Sequence, residues 1–184
     1  SIYAPASDLA NFEIEIEDTV TGSFGEYEVY ACGPWSQGPV LVETLQILRP
    51  DDFRSLAHNS AEYIHLVTEA LKLAFADRDA FVSDPKFVDV PIAALGSLEY
   101  AESRRSQIDP DRATPEMPRY GGPWKFENRA QPDSWNYQHP ATLPVAAELD
   151  TSYACAVDRW GNAFSATPSD GAGGSPIVPG LGFV

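Results

Sequence analysis

The stretch from residue 60 to residue 82 constrains this chain more than any other. Ile64, Val67, Leu71, Ala74 and Phe75 recur at three- and four-residue spacing, with Val82 closing the row. That period is one apolar face of an α-helix. Asn59 stands in front of it as an N-cap, Glu62 completes a capping box, and Asp84 followed by Pro85 ends the run. A helix of this length spans about 35 Å, at least the diameter of a small domain. Other elements must therefore pack against its apolar stripe, while Glu69, Lys72 and Asp77 are expected on the wetter side.

The flanking segments supply those elements. Ile14 and Ile16 alternate with acids and predict a half-exposed strand over 13–17. Residues 19–25, with Gly22 and Gly25, read as a turn, and Tyr27, Val29 and Ala31 as a second strand ended by residues 32–35. Pro39 suits the first position of a helix carrying Val40, Leu41, Thr44, Leu45 and Leu48, stopped by Pro50. A short helical turn is expected at 92–95, and Ser97 caps a helix running to Ile108. From 110 to 144 regular periods give way to prolines, Gly121 and Gly122. This is a long loop whose Trp124, Phe126, Trp135 and Tyr137 predict that it clings to a surface. A strand is predicted from Thr151 to 157, a connection over 158–161, a return strand over 163–167, and a small-residue loop over 168–176. The expected organisation is residues 1–109, a Pro-rich stretch at 110–150, and residues 151–184, in an α+β fold.

Composition removes several function classes. The chain has 184 residues and a formal net charge of -15. Such an acidic surface repels a phosphate backbone and lacks the basic patch of a peripheral membrane protein, so neither nucleic acid nor membrane is an expected partner. No apolar run approaches the roughly 20 residues that span a bilayer. Cys32 and Cys155 are too few for a disulfide scaffold and match no zinc pattern; separate buried thiols are expected, with a bridge left open. The histidines, His58, His65 and His139, read as surface or capping groups, and Asp77, Asp79 and Asp84 as a solvated helix end, so no metal is expected. No phosphate loop, dinucleotide fingerprint or nucleophile elbow occurs, and no cofactor is implied; Gly171, Gly173 and Gly174 read as loop flexibility. The first residues form no signal peptide, and both ends read as cuts in a longer protein, so the compartment, cytoplasmic or exported, stays open.

Thr151 carries the one chemically distinctive option. An internal Thr is a poor nucleophile because nothing adjacent takes its proton. Cleavage of the Asp150–Thr151 bond would leave a free α-amine beside Oγ, with a pKa near 8 that suits a base at neutral pH. The plain alternative is a β-forming residue that opens a strand.

The residues also carry a resemblance. Tyr27 through Pro34, Trp35, Gly38 and Pro39 to Leu48 resembles a strand, turn and helix of the γ-glutamyltranspeptidase family. The run HLVTEALKLAFADRDAFVSDPKFVDVP, residues 65–91, resembles that family's long helix and the segment after it. Thr151, Ser152 and Tyr153 through Asp158 and Gly161 to Ala163 resemble the start of its small subunit. The resemblance implies a partial four-layer αββα N-terminal-nucleophile hydrolase fold. It also implies processing between Asp150 and Thr151, Thr151 as nucleophile, Ser169 as its supporting hydroxyl, and γ-glutamyl amides as substrates.

The departures bear on the substrate. Ser152 and Tyr153 stand where the family has Thr or Ala and then His. Ser169, Asp170 and Gly171 stand where it has Thr-x-Asn, so Asp170 and Gly171 are weak substitutes as substrate-binding residues. Family ligands for the substrate head group lie outside residues 1–184. The resemblance therefore implies that the remainder of the precursor is a required partner, and that these residues alone are uncleaved and inactive. Three readings follow: γ-glutamyl transfer or hydrolysis by the parent, an amidase or acylase with another acyl pocket, and a non-catalytic module. In the last, the helical region buries its apolar faces by homo-oligomerisation.

Overall fold

Phe24 and Tyr27 face each other across a two-residue loop, and Gly25, at φ 65, holds its first position. A type II′ hairpin turn requires a positive φ there, which glycine adopts without a Cβ clash. The turn closes β1 (Val20–Phe24) onto β2 (Tyr27–Ala31) as an antiparallel pair, Val20 opposite Ala31. Residues 20–24 are thus a strand and not the predicted turn. The alternation at Phe12, Ile14 and Ile16 forms no strand, and these side chains are 75%, 87% and 102% exposed. Period-two patterning needs a neighbouring strand to accept its hydrogen bonds, and none among the described residues pairs with this segment.

The computed structural model describes residues 7, 10–49, 52–133, 135, 137, 150–167, 169 and 170. They fall into two compact units, residues 1–139 and residues 140–184.

In the first unit, Gly38 opens helix α1 (Gly38–Ile47). A Cβ at Gly38 would lie 2.1 Å from the Cys32 carbonyl oxygen, so β2 and α1 turn this closely only over glycine. Cys32 itself is exposed, not buried as expected. Arg105 Nη1 donates to the terminal Ile47 carbonyl (2.7 Å), and the same guanidinium forks onto both oxygens of Asp52 at 2.9 and 2.8 Å. Asp52 opens the short α2 (Asp52–Ser55).

The long helix is α3 (Ala61–Phe81). Its cap is Ser60, whose hydroxyl accepts from Tyr63 N (3.2 Å), one residue later than expected. Asn59 is instead left-handed, at φ 59, turning the chain into the cap. The buried face also differs: Ala70, Leu73, Ala74 and Phe81 are covered, with Glu69 and Asp77 among them, while Ile64 is 53% exposed. The acids are tolerated because each is paired. After α3 come α4 (Ile92–Leu95) and α5 (Leu98–Arg105), the latter capped by Ser97, whose hydroxyl accepts from Tyr100 N as expected. Ile47, Leu48, Ala70, Leu73 and Ala101 form one apolar cluster, and Phe81, Val90, Leu95, Tyr100 and Trp124 a second.

Asp77 lies within this packing, 0% exposed. It accepts from Tyr100 Oη (2.7 Å) and from Gly121 N (2.6 Å). Arg104 Nε approaches it to 2.8 Å as an ion pair, with the N–H angled off any hydrogen bond, while Nη2 donates to the Leu73 and Arg119 carbonyls. Burial first, then the neighbouring Asp77 carboxylate, pushes the Glu43 carboxyl well above the usual range. Burial likewise raises the Tyr100 phenol.

The irregular segment from 109 to 137 runs along α3, as its aromatics predicted. His65 Nε2 bonds the Asp109 carbonyl, Glu69 accepts from Thr114 N (3.2 Å), and Lys72 donates to the Thr114 carbonyl. Asp77 takes the Gly121 amide, and the Ala80 carbonyl takes Trp135 Nε1 (3.2 Å). These α3 positions recur every three to five residues, so one helix face is a row of acceptors and donors for an otherwise unpaired backbone. Within the segment, a 3-10 turn (Pro123–Glu127) buries Trp124, and Trp135 stacks on Phe81 at 5.3 Å.

The second unit pairs β3 (Asp150–Thr151) with β6 (Ser169–Asp170), and β4 (Ala154–Val157) with β5 (Ala163–Ala166), all antiparallel. Ser169 and Asp170 are therefore strand residues and not part of the predicted loop. Cys155 is exposed, and no bridge to Cys32 forms. Helices and antiparallel strands together make a mixed α/β fold.

Candidate functional site

The β4–β5 connection is held by one carboxylate. Asp158 Oδ1 accepts from Trp160 N (2.8 Å) and Asn162 N (2.9 Å), and Oδ2 from Asn162 Nδ2 (2.8 Å). Gly161 turns the chain at φ 86. Hydrogen bonding, chiefly from the Asn162 side chain, holds the Asp158 carboxyl below its usual range. This is an Asx-type turn, the local chemistry that Asp and Gly bring to tight connections.

From that turn the register carries to the other end. Ala154 pairs with Ala166, Thr151 with Ser169 and Asp150 with Asp170. The two ladders keep the same offset but are separate pairings, with residues 152, 153 and 167 between them outside any strand. Side chains alternate faces along a strand. Within β3–β6 the Thr151 and Ser169 positions therefore share one face and the Asp150 and Asp170 positions the other, and within β4–β5 the Cys155 and Val157 positions share a face with those of Ser165 and Ala163.

Backbone pairing thus brings Thr151 opposite Ser169, the expected nucleophile and supporting hydroxyl. Asp150 and Asp170 are likewise opposite in the backbone register. Gly171 lies outside the described residues, as do His139, Gly173 and Gly174. Nearer the turn, Ser165 Oγ donates to Tyr153 Oη at 3.2 Å. Sequence reading passed over this pair, which lies 12 residues apart across the Asp158 turn. Among the described residues no group of His, Cys, Asp or Glu is placed to hold a metal. The buried Asp77 cluster is filled by its own partners and belongs to the packing of the first unit.

Comparison with known proteins shows the family. The γ-glutamyltranspeptidase family profile matches residues 3–184. The acylase ACY 1 proenzyme of Pseudomonas sp. (strain SE83) is 34% identical over 181 residues, covering 97% of this chain and 28% of the acylase. The glutathione hydrolase proenzyme of Bacillus subtilis subsp. natto is 33% identical over 163 residues, 87% of this chain and 27% of that protein. The solved LmbA2991HD structure superposes with a TM-score of 0.74 at 38% identity, over 98% of this chain and 30% of its own. The chain thus spans under a third of the length of each of these relatives. With residues 3–184 matched by one family profile and relatives at 33–34% identity covering 87–97% of it, this chain belongs to the γ-glutamyltranspeptidase family.

Proposed function

We propose that the parent of this chain cuts itself between Asp150 and Thr151 and then uses Thr151 as an N-terminal nucleophile on amide substrates. In the first step Thr151 Oγ adds to the Asp150 carbonyl carbon, and the C–N bond breaks with the proton passing to nitrogen. The resulting ester is opened by water, which leaves an Asp150 carboxylate and restores the Thr151 hydroxyl. In turnover the freed α-amine takes the Oγ proton while Oγ attacks the donor carbonyl, then returns that proton to the departing amine. Water or an acceptor amine releases the acyl group, by hydrolysis or transfer. Donors stabilising an oxyanion belong to the rest of the parent, as does completion of an αββα layering.

The observation that carries this reading is the register pairing of Thr151 with Ser169 at the start of the strand. Glutathione-like γ-glutamyl amides are the substrates that the glutathione hydrolase relative suggests. An acylase with a different acyl group is the second reading, favoured by the 97% coverage against the acylase proenzyme and by Gly171 where an amide side chain was expected. The test is the full-length protein on a denaturing gel with mass spectrometry. The wild type should give two polypeptides, one beginning at Thr151, and Thr151→Ala should stay a single inactive chain. A wild type that stays whole yet turns over amides would sink the proposal.

A further inference from the structure

The buried ion pair of the first unit grips the irregular segment 109–137, a strap along α3, with both of its charges. Asp77 Oδ1 accepts from Gly121 N at 2.6 Å, and Arg104 Nη2 donates to the Arg119 carbonyl at 3.0 Å. A Cβ at Gly121 would stand 2.1 Å from Tyr100 Oη and 3.0 Å from Arg104 Cδ, so the strap backbone lies directly on these side chains. Glu43 of α1 completes the site. Its carboxyl is within hydrogen-bond reach of Asp77, and Oε1 has no partner among the described residues. Two buried carboxyls thus share one buried guanidinium. The charges acting on Glu43 are Asp77 from α3 and Arg104 from α5, with the Tyr100 phenol of α5 alongside. β1 and α4, also packed on α1, carry no titratable residue. Tyr27, Glu28 and Tyr30 of β2 are exposed, the last two bonded to each other, and Arg119 of the strap is exposed.

We propose that the Glu43 carboxyl proton is a latch for the strap: while it bridges Glu43 to Asp77, the Asp77–Arg104 pair keeps hold of residues 119 and 121, and its loss to water releases them. With the proton gone, two adjacent carboxylates face a single cation, which a buried site does not tolerate. One of them must then be hydrated. The backbones of α1, α3 and α5 are bonded within each helix, so an opening there disrupts a helix or the core. The strap is held at this point by two peptide groups, whose hydrogen bonds water can take over. The direction follows from linkage: the closed form prefers the protonated carboxyl, so closure is complete at low pH and weakens as pH rises through the raised closed-state value. The latch involves no residue of the Thr151 reading.

The test is hydrogen exchange of the full-length protein from about pH 5 to about pH 9, read by mass spectrometry on peptides covering residues 119–122 and corrected for the intrinsic pH dependence of exchange. In the wild type the protection of these amides should fall with pH, by up to about ten-fold per pH unit once Glu43 ionises. Peptides from α3 should keep theirs. Glu43→Gln cannot ionise and its amide can donate to Asp77, so its strap should stay protected across the range. Asp77→Asn removes the second carboxyl, so its strap protection should be lower but level with pH. A wild type whose strap protection is flat with pH, or a fall of the same slope in either variant, would overturn the latch. So would a fall shared equally by the α3 peptides, because that is unfolding of the whole unit and not release of the strap.

Discussion

Glu43 is a carboxyl group placed where a charge is costly. It is 2% exposed and sits beside Asp77, and two buried carboxyls in contact do not both ionise. Its folded-state pKa therefore lies above the value of 4.5 for a solvated Glu. The sign follows from linkage: folding favours the protonated form, so the contribution is complete below about pH 4.5 and is lost as pH rises through the raised folded-state value. Glu43→Gln keeps the shape and cannot ionise. The urea midpoint of the full-length variant should stay level across that window while the wild type declines, so the two curves diverge toward neutral pH. Parallel curves would show that Glu43 is not the group responsible. Nothing near Glu43 in sequence announces this, because Asp77 comes 34 positions later and only the packing of α1 on α3 brings them together.

At the scale of elements, what was legible followed local chemistry. The long helix, the Pro39 start of α1 and the Ser97 cap of α5 were all readable because period and capping act within a turn or two. The strand Val20–Phe24 was hidden by Gly22, whose small size is demanded by α1: a Cβ there would meet Val42 at 2.7 Å. The pairing of Thr151 with Ser169 was hidden because register depends on the turn at Asp158, several residues from either. Asp77 was misplaced on the wet side because its partners come from α5 and, at Gly121, from the irregular segment 109–137 that straps α3. Those same partners make it the joint of α3, α5 and the strap. Asp77→Ala leaves Arg104, 1% exposed, without its counterion and the Gly121 amide without an acceptor. Removing one partner of a buried pair costs about 3–5 kcal/mol. Chemical denaturation of the full-length variant should show a loss of that order, and a loss below about 1 kcal/mol would mean that the joint is not where the strap is held.

On the scale of the whole molecule, the question is what covers the apolar surface left open. Phe12, Ile14 and Ile16 stand in one segment outside any helix or strand, each at least 75% exposed, and Leu41, Phe87 and Leu98 are also uncovered. Single exposed apolar side chains are ordinary, but a row at strand spacing with no strand beside it among the described residues is a surface made for contact. The acylase relative carries the matching region within a protein of which this chain spans 28%. If that surface is buried by the remainder of a parent, then the 184-residue polypeptide by itself should bury it another way. Its sedimentation mass should rise above 20.0 kDa with concentration and it should bind a hydrophobic dye. Ile14→Ser with Ile16→Ser should reduce both effects, while the full-length wild type should show neither through this segment. The net charge of -15 opposes association at low salt, so the rise should steepen as salt screens it. A polypeptide that stays monomeric at high salt, or a serine pair that changes nothing, would show that the Phe12–Ile16 row is tolerated in water and is not a contact surface.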